Sequence, residues 1–305
     1  MHRLLFTALL SLISLGALAQ PDALHSVEIA GGAGWSNIDY RLSDMHQPGD
    51  IGGLIHLGYN IHPTRWLSFG IGVDIECDGA NAIGNLANSW EDVTDSDGEN
   101  YKHWLQLNNW HERQDVWLLQ IPLVIQFIVP ADKASFSIQM GAKWGTRIGG
   151  WVHTNGITTH TGYYEPWHLT LSDMQTYGFY TTTFRDRHGL TTETNYTWHL
   201  FAKAGVIVPL TSRLYLTAHL YADYSLTDLL KQPESTRELG VRNDREDMET
   251  IHYFMPEYSS ILDTDYADLS SSKTLNVGLE VGLRFVFKTT NRSHKKRYPC
   301  RCVDN

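Results

Sequence analysis

The residues able to do chemistry in this chain are few and spread evenly along it. Glu28, Asp74, Glu76, Asp223 and Glu280 supply carboxylates, Lys143, Arg147, Lys203 and Arg284 supply cations, and His219 adds an imidazole. Nearly all of them stand between apolar neighbours, as Glu280 does between Leu279 and Val281. Ions buried together must neutralise one another or accept hydrogen bonds, because an isolated buried charge is very costly. A salt-bridged plug is therefore the favoured reading, and a proton or ion path through the same groups is the rival.

Other motifs are weaker. The stretch Asp92-Val93-Thr94-Asp95-Ser96-Asp97-Gly98-Glu99-Asn100 resembles a calcium loop, with carboxylates before a turn glycine. It lacks the first ligand of that pattern and a Glu at its twelfth position, so a solvated acidic tip is expected. His103, His111, His153, His160 and His168 gather in polar stretches at spacings unlike a metal site, and exposed loop histidines are expected. Ser and His are plentiful, but no spacing singles out a nucleophile with its base. The expectation is no catalytic residue, no metal and no cofactor. A lipid-modifying hydrolase or transferase is kept as the enzymatic alternative.

The elements that would position these groups have a period of two. In 27–35 the residues Val27, Ile29, Ala33 and Trp35 oppose Ser26, Glu28 and Ser36. The same alternation recurs in 51–61, 67–76, 117–127, 136–148, 200–208, 214–222 and 275–287. Side chains two apart share one face of a strand, so each segment has an apolar face and a face bearing the charges. That makes about eight strands, within the range of the smallest membrane barrels.

The connections sort themselves. Those near Pro63, near Pro130 and near Pro209 are short, whereas long polar stretches fill 38–50, 77–114, 153–196 and 226–272. Strict alternation of short and long is what a membrane barrel with tight periplasmic turns and long outer loops requires. The spacing thus predicts an all-β, closed, antiparallel up-and-down transmembrane barrel. A strand of about 11 residues, tilted by about 45°, spans an apolar band of around 25 Å. Closure brings the last strand beside the first, so Arg284 is predicted to pair with Glu28, and Glu280 to reach Lys203 or His219. A soluble lipocalin-type barrel is the structural alternative, but its inner face would be the apolar one. Pro122 fits poorly, because it removes a ladder donor from the fourth strand.

Residues 1–19 read as a cleaved signal peptide: a basic start, an apolar run broken only by small or hydroxyl residues, and Ala17-Leu18-Ala19, with cleavage between Ala19 and Gln20. The barrel then occupies 20–288 and a basic tail 289–305, with Lys295, Lys296 and Arg297 on the periplasmic side. The net charge of -10 and mean hydropathy of -0.29 would suit a soluble acidic protein, but both are weak guides for a barrel, whose strands alternate polar and apolar residues; no nucleic-acid partner is expected. The 10 Trp and 15 Tyr suit membrane-interface girdles. Aromatics in the long stretches (Trp104, Trp110, Tyr163, Tyr164, Trp167, Tyr253 and Tyr258) would either bind a partner or self-pack as a cap. Cys77, Cys300 and Cys302 make no disulfide framework.

The segment Leu119-Gln120-Ile121-Pro122-Leu123-Val124-Ile125-Gln126-Phe127, a Pro-containing turn and Gly141-Ala142-Lys143-Trp144-Gly145 together resemble paired strands of outer-membrane barrels of Bacteroidota. These are the PorT-like or small OmpA-like barrels. Val277-Gly278-Leu279-Glu280-Val281-Gly282-Leu283-Arg284-Phe285 resembles the last strand of that family. The resemblance covers most of 26–288 outside the long stretches and implies a Gram-negative cell envelope. Some members of the wider family are linked to secretion or adhesion; the role expected of this chain is non-enzymatic, its long surface loops serving binding or assembly as an accessory of a larger envelope complex. The partners implied are outer-membrane lipid and a periplasmic or surface protein.

Overall fold

A computed structural model describes residues 24–42, 45–95, 98–131, 133–175, 178–232, 260–263 and 267–288, with backbone alone at 88–93. The signal segment with Ala19 and Gln20, the basic tail, Cys300, Cys302, Tyr253 and Tyr258 lie outside the described residues. Eight long strands form the ring: β1 (Leu24–Leu42), β2 (Asp50–His62), β3 (Leu67–Thr94), β4 (Asn100–Val129), β5 (Ser135–Tyr164), β6 (Thr197–Pro209), β7 (Leu214–Ser225) and β8 (Ala267–Lys288). Each pairs antiparallel with its sequence neighbours, and β1 pairs with β8 from Leu24↔Lys288 upwards, so the sheet closes. Closure leaves no free edge in the ring, as lipid demands.

The lower part of the ring has its polarity reversed relative to a water-soluble protein. Ile29, Ile55, Leu57, Ile71, Ile121, Leu220 and Leu279 are exposed on the outside, while Glu28, Asp74, Glu76, Lys143, Lys203 and Glu280 are buried within. Trp35, Trp117, Trp144, Trp198 and Tyr224 mark one margin of this apolar belt, and Tyr59, Trp66, Phe127, Phe136 and Phe285 the other. From Trp117 to Phe127 a tilted strand rises about 25 Å, the height of a bilayer's hydrocarbon band. No water-soluble fold gains from such a belt. The barrel is built to span a membrane. Leu279→Arg is expected to cost ~2–4 kcal/mol, read from denaturant unfolding in lipid, because Leu279 lies in the middle of the belt. An unchanged midpoint would mean that this face does not meet lipid.

Pro122 sits in an unbroken register. It lies opposite Lys143 on β5, while on β4's other side the pairing lapses between Ile71↔Leu123 and Asp74↔Gln120. The missing donor is absorbed by a short gap in the ladder, with no bulge.

Three of the stretches expected to be loops are largely strand. Most of 77–114 is the continuation of β3 and β4, whose described connection shrinks to a turn around Gly98 (φ 85). β5 runs on to Tyr164, and Thr181–Gly189 within 153–196 pairs along Trp151 to Thr159 as an added strand. β1 extends to Leu42, and Met45–His46 pairs with β3. The physical reason lies in the inner face. Above the belt that face becomes apolar, with Ile38, Tyr40, Val116, Leu118, Val152, Leu190, Leu229, Leu230, Leu262 and Leu269 in one buried cluster. A second holds Ala82, Leu86, Leu105, Leu107, Trp110 and Ile261. Extended hairpins persist here because they have a core of their own to cover.

Candidate functional site

Inside the belt, side chains stack in layers along the barrel axis. At the short-turn end, Arg284 Nη2 donates to Glu28 Oε2 at 2.6 Å and Arg284 Nε donates to the same oxygen at 3.0 Å. Thr217 donates to Glu28 Oε1 at 2.9 Å, so both carboxylate oxygens are engaged. The register sets this up, since Glu28 and Arg284 are direct cross-strand partners. One layer up, Lys203 Nζ meets Glu280 Oε2 at 2.6 Å, across the intervening strand β7. His219, on that strand, lies with Nδ1 3.9 Å from Glu280 Oε1 and Nε2 2.8 Å from Ser137 Oγ.

The upper layer centres on Lys143. Its ammonium lies 2.7 Å from Asp223, 3.1 Å from Glu76 and 3.2 Å from Asp74. Two of these carboxylates also hold an imidazole: His199 Nδ1 is 2.7 Å from Asp223 Oδ1, and His56 Nδ1 is 2.5 Å from Asp74 Oδ1. Asn276 donates its amide to both Glu76 and Asp78. Phe201 separates the layers, its ring 5.5 Å from the Lys143 ammonium and 5.6 Å from that of Lys203. Gly141 makes room for that ring, because a Cβ there would stand 2.8 Å from it.

Two sequence expectations need correcting. Arg147 was counted among the charge partners, but its guanidinium donates to the carbonyls of Leu190 and Thr192, at 3.2 and 2.7 Å. A bulge opposite Trp117 and Leu118 breaks the register just beyond Arg147, which lifts it to the rim to anchor the segment that caps the barrel. The expected balance of five acids and four bases also fails. Asp78 joins the acids and Arg147 leaves the bases, so Glu28, Asp74, Glu76, Asp78, Asp223 and Glu280 face Lys143, Lys203 and Arg284. His56, His199 and His219 fill in beside three of those carboxylates. His56, His199 and Asn276 share the polar face expected from the alternation but are not among the expected charge partners, and Asp78 lies in a stretch expected to be loop; all four point inward.

The chain matches no family model and no curated protein by sequence. Among solved structures it is similar to neisserial surface protein A at 10% identity, covering 87% of this chain and 99% of that one, with a TM-score of 0.34. Ail of Yersinia pestis gives 10% identity, 87% and 99% coverage, and a TM-score of 0.26. The translocator domain of the autotransporter NalP from Neisseria meningitidis gives 10%, 94% and 96%, and 0.23. At such overlaps the likeness adds nothing to what ring closure and register establish. The chain is an eight-stranded barrel with a charged core.

Ser137, His219 and Glu280 have the residue types of a hydrolytic triad, yet all three are buried inside the ring. A lipid on the outer face has the width of the sheet between it and Ser137. A fluorophosphonate probe is expected to leave Ser137 unlabelled in the folded protein; a stoichiometric adduct found by mass spectrometry would revive the lipid-hydrolase reading.

Above the belt the expected exposed histidines divide. His111, His153 and His168 are part-buried or exposed, but His103 and His160 are buried and face each other, Nε2 to Nδ1, at 3.0 Å. Burial pushes His160 down to about 4, so it stays neutral near pH 7. Aromatic rings surround the pair: Phe179 packs against His103 and Tyr180 against His160. Asp95, from the calcium-like stretch, accepts from the Glu99 amide and the Tyr164 hydroxyl and so shapes the turn. Among the described residues no group of three or more His, Cys, Asp or Glu is arranged to hold a metal. Cys77 is a free, half-buried thiol.

At the mouth, Glu112 is wholly buried. It accepts from Ser260 Oγ at 2.5 Å, from the Ile261 amide at 3.0 and 3.1 Å, and from Gln114 Nε2 at 2.9 Å. These bonds tie the short turn at Ile261–Asp263 into the opening, where Ile261 and Leu262 enter the two apolar clusters.

Proposed function

We propose that this chain is a non-enzymatic protein of the bacterial outer membrane that presents a rigid β-sheet at the cell surface for binding or assembly. The observation that carries this reading is the contrast between the two halves of the barrel. The lower half is filled by paired ions and sealed above by apolar side chains, which leaves no open bore. The upper half continues as ordered, hydrogen-bonded sheet with polar and aromatic outer faces. A closed conduit beneath an elaborated platform favours recognition over transport. The likeness of β4, β5 and β8 to PorT-like barrels supports a role as accessory to a larger envelope complex.

The outer membrane is the location proposed because a closed barrel of this belt height is the strand-built solution for that bilayer. Urea-washed membranes are expected to retain the protein, and protease added to whole cells to cut at the 95–99 turn. Recovery in the aqueous fraction without detergent would overturn the location. Whole-cell cross-linking compared between the full chain and one trimmed at the tip of β3 and β4 tests the binding role. Equal recovery of cross-linked products would overturn it.

A further inference from the structure

The tip of the β4–β5 hairpin carries a feature that neither the belt nor the plug uses. Trp104 on β4 and Tyr163 on β5 stack on the outer face, ring centroids 5.5 Å apart and planes within 11°. Trp104 is 39% exposed, a large ring held open to solvent. Beside the pair lies a shallow cavity of about 310 Å³ lined by Asn100, Tyr101, Lys102, Tyr163, Glu165 and Pro166. Lys102 Nζ and Glu165 Oε2 stand 3.9 Å apart at its edge. The Tyr163 hydroxyl is held 3.3 Å from His168 Nδ1, and Leu169–Leu171 pairs alongside β5, so the platform is braced on both sides.

We propose that this platform is a binding site for a neutral oligosaccharide. The site's chemistry matches such a ligand, which deepens the surface-binding reading above and rests on it. A pyranose ring offers an apolar C–H face and a rim of hydroxyls that both donate and accept. An exposed indole stacked on a phenol presents an apolar π-face at little entropic cost. The rim groups then match the hydroxyls: Lys102 donates, Glu165 accepts and Asn100 does both. Among the described residues the charges lining the cavity are one of each sign, and the chain carries -10 overall, which disfavours a polyanion. An apolar ligand fits poorly, since the cavity is shallow and ringed by polar groups.

The test uses the full chain in lipid nanodiscs, with cellohexaose, maltohexaose and chitohexaose as neutral probes and a heparin-type sulfated hexasaccharide as the charged comparison. Calorimetry is expected to give saturable binding for at least one neutral probe. Trp104→Ala is expected to weaken it roughly tenfold or more, and Trp104→Phe less, since a ring remains. Trp104 lies outside the belt and outside both apolar clusters, and heat-modifiable gel mobility reports that each variant still folds. No binding by any neutral probe, tighter binding of the sulfated one, or affinity unchanged in both Trp104→Ala and Tyr163→Ala would each overturn the proposal. Whole-cell protease shaving reports surface display separately, so loss of this site and loss of the surface-binding reading give different results.

Discussion

Lys143→Met is expected to be the most destabilising single change in the barrel core, costing ~3–5 kcal/mol. The wild-type ammonium stands between Asp74, Glu76 and Asp223, all buried. Removing it leaves three carboxylates facing one another with only His56 and His199 as cationic partners. The loss is large because what remains is an uncompensated cluster of like charge, whose cost far exceeds the worth of one ion pair. Urea unfolding in lipid measures the change. The double variant Glu28→Leu with Arg284→Met is the contrast, since removing both members of a pair leaves no unpaired charge, only the Thr217 hydroxyl without its acceptor, and is expected to cost about 1–3 kcal/mol at most. A Lys143→Met protein as stable as the parent would mean that the surrounding carboxyls carry protons and that no charge needs neutralising there.

The second large effect is local. Glu112→Ala is expected to release the turn at Ile261–Asp263, since the Ser260 hydroxyl and the Ile261 amide, shared between both oxygens, end on that one carboxyl beside the Gln114 amide. Each such bond is worth about 0.5–1.5 kcal/mol to a neutral carboxyl, so the turn's amide protection should fall by an order of magnitude or more while the belt strands keep theirs. Burial raises Glu112 above the ordinary glutamate range, so the folded chain holds that proton more tightly than the unfolded chain does. The group's contribution is therefore full below the ordinary range and is lost as pH rises through the raised value. His188 is the ionisable group whose charge opposes this rise, and the Glu112 charge in turn raises the Tyr40 phenol. Glu112→Gln keeps a carbonyl acceptor for the Ile261 amide and should remove this pH dependence while leaving the turn docked. Hydrogen exchange at Ile261, followed from below the ordinary glutamate range upward, reads both effects, and protection that never falls as pH rises in the parent would refute the titration.

What the sequence made legible was the part in lipid. From Trp117 to Phe127 the alternation is unbroken, because one face meets hydrocarbon and the other a charged core. The same contrast exposed Glu28 and Arg284 as neighbours once the ring was taken to close. The part above the membrane was illegible for two physical reasons. There the apolar face turns inward, as with Leu105, Leu107 and Trp110, so the rule that apolar means outside reverses within a single strand. The alternation is also broken by a bulge at Asn109, whose left-handed φ of 51° lets both Leu107 and Trp110 point inward. Read without those two facts, the segment is a polar stretch with scattered aromatics. Arg147 misled for a related reason, since Ile148 is an extra residue in the ladder just past it. The tie from Glu112 to residue 261 joins positions 149 apart, a relation that no local pattern carries.

The length of β4 has a consequence for reach. Asn100–Val129 counts 30 residues, and only about the last dozen cross the bilayer. The remaining stretch, at about 3.3 Å per residue and tilted like the rest, lifts Trp104 ~30 Å beyond the hydrocarbon, past the layer of lipid headgroups. Whatever the tip touches is therefore met at a distance from the bilayer, by a mast stiff enough to hold its orientation.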